Sequence, residues 1–224
     1  MLGQTAGQGS DWLTLLKLGG PVVLFLLLMS VVAFTVTMYK LIQFRGCSAG
    51  VLNHLDEAVS RWCAGQEHDA LAMITDSRSG VALLIYKGMD WLSRDSRDSI
   101  DLAAVEAELS RMAQRILTRQ ASLLGILEQV SYLAPLLGLL GTVLGILNVF
   151  HSLAEQGSNA NASMLAGGIW EALLTTAMGL CVAIPFALVH AGLQGRINNL
   201  RAQIEDMLTR LFTAGLYKHL DEAS

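Results

Sequence analysis

The sequence predicts an all-α membrane protein, with three transmembrane helices that carry long helical extensions on one side. Three observations predict it. Of 224 residues, 53% are hydrophobic and only 15% are charged. The charges are unevenly placed: Leu18–Tyr39 (22 residues), Gln129–Ala154 (26) and Ala172–Gly195 (24) contain no Asp, Glu, Lys or Arg. A run of about 18 or more apolar residues without charge is long enough to cross a hydrocarbon core. Between and after these windows, apolar residues recur at spacings of three and four, the period of an amphipathic helix. Together the windows hold about a third of the chain, which argues against a soluble globular domain and against disorder of its bulk.

The first segment, 1–17, is polar and glycine-rich, with Asp11 as its only charge before Lys17. The window that follows is too long for a signal-peptide h-region and lacks a basic n-region, so 18–39 is expected to be transmembrane helix 1. Residues 40–128 then hold ten basic side chains, among them Lys40, Arg45, Lys87, Arg111 and Arg119. Transmembrane helix 2 is expected over 129–150. The connection 151–168 has no Lys or Arg; transmembrane helix 3 is expected over 169–195. The tail 196–224 carries Arg196, Arg201, Arg210 and Lys218. Fourteen of the fifteen basic residues thus lie in 40–128 and 196–224. The positive-inside rule sets those two segments in the cytoplasm and leaves the N-terminus and the 151–168 connection outside. Pro21, Pro135 and Pro185 fall one to a span, which membrane helices tolerate.

The cytoplasmic part reads as helices. Residues 49–92 break into short helices at Ala64-Gly65 and at Asp76–Gly80. Ser99 is a candidate N-cap. Beyond it, Leu102, Val105, Leu109, Met112, Ile116, Leu123, Ile126 and Val130 keep the helical spacing. With no breaker before Pro135, one continuous helix from 99 to 150 is expected, about 75 Å long. In the tail, Leu193, Ile197, Leu200, Ile204, Met207 and Leu211 form a second apolar seam, expected to pack antiparallel on the first. Closure of a helical bundle accounts for both seams; docking of a cytoplasmic partner is the alternative.

Span 2 contains Gly138, Gly141, Thr142 and Gly145, and span 3 a small-residue stripe of Ala172, Thr176, Gly179, Ala183 and Ala187. Small residues let helix backbones approach closely in lipid, and packing explains both stripes. Counting inward from each boundary puts Thr142 about 18 Å and Thr176 about 20 Å from the inner side of the core. Each hydroxyl either bonds back to its own helix or contributes to a polar collar around a hydrated path. Glu171, at the outer end of span 3, is a candidate functional acid or a boundary residue reaching water. Trp170 fits an interfacial aromatic and His190 an inner-boundary residue. Cys181 fits packing. No Asp, Lys or Arg lies within a window. Hydroxyls do not titrate in the physiological range. If the protein conducts protons, a midplane carboxylate therefore has to come from another chain.

The block Leu133-Ala134-Pro135-Leu136-Leu137-Gly138-Leu139-Leu140-Gly141-Thr142-Val143-Leu144-Gly145-Ile146 resembles the second-span motif of the MotA/TolQ/ExbB proton-channel family. Gly168-Ile169-Trp170-Glu171-Ala172-Leu173-Leu174-Thr175-Thr176-Ala177-Met178-Gly179-Leu180, with Ala183-Ile184-Pro185 after it, resembles its third-span motif. Three spans in a chain of this length resemble the ExbB/TolQ branch, most of all ExbB. The resemblance implies a pentameric pore in the inner membrane of a Gram-negative bacterium. The pore would hold the single transmembrane helices of an ExbD- or TolR-like dimer, whose aspartate takes and releases the proton, and the motor would act on a TonB- or TolA-like protein. Thr142, Glu171 and Thr176 match the family's polar pore positions, whereas Trp170 stands where a small residue is expected. No cofactor is implied.

Two other readings stay open: a TolQ-like role in the Tol–Pal envelope system, and a non-conducting membrane scaffold. An enzyme is disfavoured, because no nucleophile–base pair, phosphate loop or metal spacing stands out. The scattered Cys47, Cys63 and Cys181 suggest neither a disulfide framework nor a zinc site. The net charge of −4 points away from nucleic acid.

Overall fold

The computed structural model of the chain describes residues 20–45, 49–75, 79–94, 102–156 and 162–222. The expected outer segment 1–17, the Ser99 cap, Cys47 and the turn at Asp76–Arg78 lie outside the described residues. Regular structure among the described residues is α-helical: α1 (Gly20–Arg45), α2 (Ala49–Cys63), α3 (Glu67–Ile74), α4 (Gly80–Arg94), α5 (Leu102–Ala121), α6 (Leu124–Gln156) and α7 (Ala162–Glu222). Three of them, α1, α6 and α7, contain stretches long and apolar enough to cross a membrane: Gly20–Phe44, Leu124–Glu155 and Leu165–Gly215. Pro21 sits in the first turn of α1, where a missing N–H is harmless. Pro135 and Pro185 lie inside α6 and α7, which continue through them.

The chain divides into two compact units, Met1–Tyr39 with Leu123–Gly192, and Lys40–Ser122 with Leu193–Ser224. The second unit has a conventional apolar core. Leu55, Val59, Leu84, Ile85, Met89, Leu109, Ile204, Met207 and Leu211 are almost entirely removed from solvent within it. The two amphipathic seams meet in this core, since Val105 and Leu109 share it with Leu200, Ile204 and Leu211. Gly88 of α4 fits between them: a Cβ there would lie 3.3 Å from Leu109 and 3.6 Å from Leu211. Each such large side chain contributes about 1.5–3 kcal/mol by leaving water. Ala64 and Gly65 form the expected turn between α2 and α3, Gly65 at φ 84°.

Polar contacts pin the edges of this unit. Arg210 of α7 donates from Nη1 to Asp56 Oδ1 (2.7 Å) and from Nη2 to Ser60 Oγ (2.7 Å), tying the tail to α2. Asp206 accepts from the same guanidinium at 3.4 Å, as the i,i+4 spacing predicts. Lys40 is fully buried. Its Nζ donates to Gln43 Oε1 (2.8 Å) and to the carbonyl of Gln120 (2.9 Å), at the C-terminal end of α5, where a cation complements the helix dipole.

The continuous helix expected over 99–150 is instead two helices. Ser122 and Leu123 form a turn between α5 and α6, with Leu123 at φ 68°. A leucine there crowds its Cβ against the following carbonyl, at roughly 1–2 kcal/mol. Ser122 Oγ donates to the carbonyl of Arg119 (2.8 Å), and the Ile126 amide to that of Leu123 (3.1 Å). The Leu123 side chain is 43% exposed, so it leaves the seam that its spacing suggests, and Ala113 and Leu117 are buried on α5. Helix also extends into both ends of the expected 151–168 connection, to Gln156 and from Ala162.

Candidate functional site

In the first unit α6 and α7 run past each other antiparallel, held apart by little more than backbone. A Cβ built on Gly138 would lie 3.0 Å from the Thr175 carbonyl and the Thr176 Cα; one on Gly179 would lie 2.6 Å from the Ala134 carbonyl. One on Gly141 would meet Thr175 Oγ1 at 2.5 Å, and one on Gly145 the Ala172 Cβ at 2.8 Å. Ala134 and Ala183 close the same line with Leu26 of α1, while Leu137, Met178 and Val182 pack around it. Gly138, Gly141, Gly145, Ala172, Gly179 and Ala183 are thus brought together as one close helix crossing, the geometry that small residues permit in lipid.

The buried line on α7 differs from the expected stripe in two places. It runs through Ala172, Thr175, Gly179, Ala183 and Phe186. Thr175 rather than Thr176 is the fully buried threonine, and Ala187 is exposed. Both spacings are helical, so α7 is rotated by a fraction of a turn from the face that the small residues alone suggest.

The threonines make the polar part of the crossing. Thr176 is half-buried, and its hydroxyl donates across to the Gly138 carbonyl at 3.0 Å. The Thr175 hydroxyl lies 2.7 Å from the Ala172 carbonyl of its own helix and 3.2 Å from that same Gly138 carbonyl. Thr142 donates back to Leu139 in its own helix at 2.7 Å. With Gly138 facing Gly179, Gly141 facing Thr175 and Gly145 facing Ala172, Thr142 and Thr176 stand at the same level. Each hydroxyl there has its own acceptor: that of Thr142 serves its own helix, that of Thr176 the crossing. Glu171 is half-buried beside Ala172, five residues before Thr176, or about 7 Å along the axis. Trp170 next to it is 68% exposed. His190 is half-buried further along α7.

Thr175 escapes a reading of the sequence because it sits beside the family-motif threonine on a helix whose exact rotation is not set by small residues. The available signal is Gly141. A glycine on α6 leaves room for one side chain, and Thr175 fills it. Outward, the three apolar helices expose large side chains; Tyr132 and Leu188 are each 70% exposed. Lipid or further protein can cover such a surface, and water covers it poorly. Among the described residues, no group of three or more His, Cys, Asp or Glu is placed to hold a metal ion.

Comparison with known proteins bears on what this crossing is for. The family model of the MotA/TolQ/ExbB proton channel family matches residues 76–206. An ExbB-like biopolymer transport protein of Synechocystis is 54% identical over 66 residues, covering 29% of this chain and 26% of that protein. Biopolymer transport protein ExbB of Pseudomonas putida is 32% identical over 126 residues, 51% of this chain and 38% of that protein. The Tol-Pal system protein TolQ of Pseudomonas aeruginosa is 30% identical over 202 residues, 86% of this chain and 84% of that one. The chain spans about a quarter to two fifths of the first two relatives and most of the third. The matched region contains α6 and the crossing half of α7 in full, and with them the glycine and threonine line described above; the chain belongs to the MotA/TolQ/ExbB proton channel family.

Proposed function

We propose that this chain is an ExbB-like proton-channel subunit of an inner-membrane motor. With an ExbD-like one-span partner it uses the proton motive force to energise TonB-dependent transport across the outer membrane. Five copies enclose a pore lined by α6 and α7, the partner dimer sits in that pore, and the N-terminus is periplasmic and the C-terminus cytoplasmic. The observation that carries the reading is the common level of Thr142 and Thr176 on two closely crossed helices of a proton-channel family member, with no acid among the described residues of α6 and α7 at that level. Hydroxyls relay a proton but do not hold one near neutral pH. A proton crossing 100 mV releases about 2.3 kcal/mol, and a motor captures it only through a group that binds and releases charge. That group is the partner's carboxylate. Glu171 lies outward of the threonines and serves as the entry-side acid.

The test is to purify the chain with its one-span partner, count subunits by native mass spectrometry, and follow proton flux in proteoliposomes. Thr176→Val and Glu171→Ala are expected to abolish flux while the complex still assembles. Flux that survives both changes, with bulky substitutions at Gly138 or Gly145 breaking assembly instead, would establish a scaffold.

A TolQ-like role in an envelope system is the second reading, favoured by the TolQ match over 86% of the chain. Deletion separates the two: loss of outer-membrane uptake marks the ExbB-like role, loss of envelope integrity the TolQ-like one.

A further inference from the structure

Two hydroxyls converge on one carbonyl. Thr176 Oγ1 lies 3.0 Å and Thr175 Oγ1 3.2 Å from the oxygen of Gly138. In an α-helix that oxygen also accepts the amide N–H four residues on, that of Thr142. A carbonyl oxygen has two lone pairs. With one taken by the helix, the two threonines are left with one site between them. Thr175 has an alternative acceptor, the Ala172 carbonyl at 2.7 Å, and a hydroxyl carries a single hydrogen. The Gly138 oxygen is dry, since Thr175 is 4% exposed and Gly138 is buried, so water does not readily take its remaining lone pair, whereas half-buried Thr176 has an open side from which a second partner can reach its hydroxyl.

We infer that Thr175 is a positioning residue for the proton path, acting as a hydrogen-bond toggle on Thr176. When Thr175 donates to Ala172, Thr176 is committed to the Gly138 carbonyl. When Thr175 swings its proton to Gly138, the Thr176 hydroxyl is released and turns to a water or to the partner's carboxylate. The toggle requires only rotation about one C–O bond, with no helix movement, and breaks no covalent bond. It rests on the proposed path through Thr176. The Thr175 side chain fills the notch at Gly141 in either state, with Oγ1, Cβ and methyl all within 3.1 Å of where a Cβ would stand, so the crossing stays closed while only the hydroxyl proton moves.

The experiment uses the full chain in complex with its one-span partner in lipid. Glycine labelled with ¹³C at the carbonyl and leucine labelled with ¹⁵N leave four Gly-Leu peptide pairs, at Gly138, Gly179, Gly192 and Gly215; the last three act as references. Thr175→Val keeps the shape and removes the donor. Under the toggle, the two hydroxyls exchange at the Gly138 oxygen. Its resonance therefore stays in place in Thr175→Val, where Thr176 still holds it, moves part of the way upfield in Thr176→Val, where Thr175 divides its one hydrogen between Gly138 and Ala172, and moves fully only in the double variant. If Thr175→Val alone already moves it, both hydroxyls bind at once and the toggle is wrong; if Thr176→Val moves it as far as the double variant does, Thr175 never donates to Gly138 and the toggle is wrong. Proton flux gives the second readout. Thr175→Val locks Thr176 and is expected to lower flux about fivefold to tenfold, the size of one neutral hydrogen bond, while Thr175→Ser restores it. If Thr176→Val abolishes flux but Thr175→Val leaves it unchanged, the inference falls and the channel reading stands. If Thr176→Val leaves flux intact, the channel reading itself fails.

Discussion

At the scale of single residues, what decides the α6–α7 crossing is the absence of side chains. The glycines are not equivalent. A methyl at Gly179 would press on backbone, the Ala134 carbonyl at 2.6 Å and the Gly138 Cα at 3.1 Å, neither of which can rotate away. Gly192, further along the same helix, has nothing within 4 Å of its position. Gly179→Ala is therefore expected to destabilise by about 1–3 kcal/mol through overpacking. Gly192→Ala should gain up to about 1 kcal/mol from helix propensity. Thermal unfolding of the two variants in detergent would show opposite shifts; a shift of the same sign in both would mean the crossing is looser than these distances indicate. A charged residue makes a different case. The Arg111 guanidinium hydrogen-bonded to Glu108, at 2.6 Å from Nε to Oε2, holds the Glu108 carboxyl below the usual carboxylate range. A depressed folded value means that the pair's contribution is present above the unfolded carboxylate value and is lost as pH falls through the folded one. Glu108→Gln should therefore lower stability slightly above the carboxylate range and make the acid limb, followed by circular dichroism, shallower, so that it converges with that of the parent once pH has fallen through the depressed folded value. An acid limb identical to that of the unmodified protein would show that the exposed pair does nothing measurable, as many do.

At the scale of elements, the break between α5 and α6 is the departure that matters most. Ser122 and Leu123 contain neither glycine nor proline, and the flanking spacing continues across them, so local preference favours an unbroken helix. The structure holds Leu123 at φ 68° instead. Surroundings rather than local sequence impose that conformation: Ala113 and Leu117 turn into the second unit's core, and the Gln120 carbonyl is bonded by buried Lys40. Leu123→Gly relieves the left-handed strain, about 1–2 kcal/mol, against an entropy loss of about 0.5–1 kcal/mol. With the side chain 43% exposed, little burial is forfeited. The variant should melt at the same temperature as the parent or slightly above it, whereas a clear drop would mean that Leu123 packs against something its own chain does not supply. The same contrast explains what could be read from the sequence. Charge-free windows gave the three long apolar helices, and the spacing from Leu193 to Leu211 gave a tail whose every seam residue is buried. Periodicity fixes a helix and its broad apolar face. It does not fix a break that distant contacts impose, nor a rotation of α7 small enough to exchange Thr176 for Thr175.

At the scale of the whole molecule, connectivity constrains topology. The core of the second unit takes Leu55, Leu84 and Leu109 from before α6 and Ile204, Met207 and Leu211 from after the first half of α7. Residues that share one core lie on one side of a membrane, so the chain between them must cross an even number of times, which two apolar helices satisfy. Charge supports the proposed side: fourteen of fifteen Lys and Arg belong to 40–128 and 196–224, and segments rich in them tend to stay on the cytoplasmic face. Cysteine chemistry can decide it. Cys63 is exposed on α2, its thiol only weakly engaged with the Arg210 carbonyl at 3.7 Å. With Cys47→Ser and Cys181→Ser, it is the single thiol. A membrane-impermeant maleimide should leave it unlabelled in intact spheroplasts and label it in inside-out vesicles. The complementary variant adds Cys63→Ser and Gly167→Cys, at the start of α7, where a side chain meets nothing within 4 Å; it should label in spheroplasts. Reversal of both patterns would turn the protein over in the membrane and, because the proton motive force has a direction, would move Glu171 to the opposite end of the proposed proton path. Labelling of both sites from the same side would be incompatible with two crossings between them and would undo the three-span architecture itself.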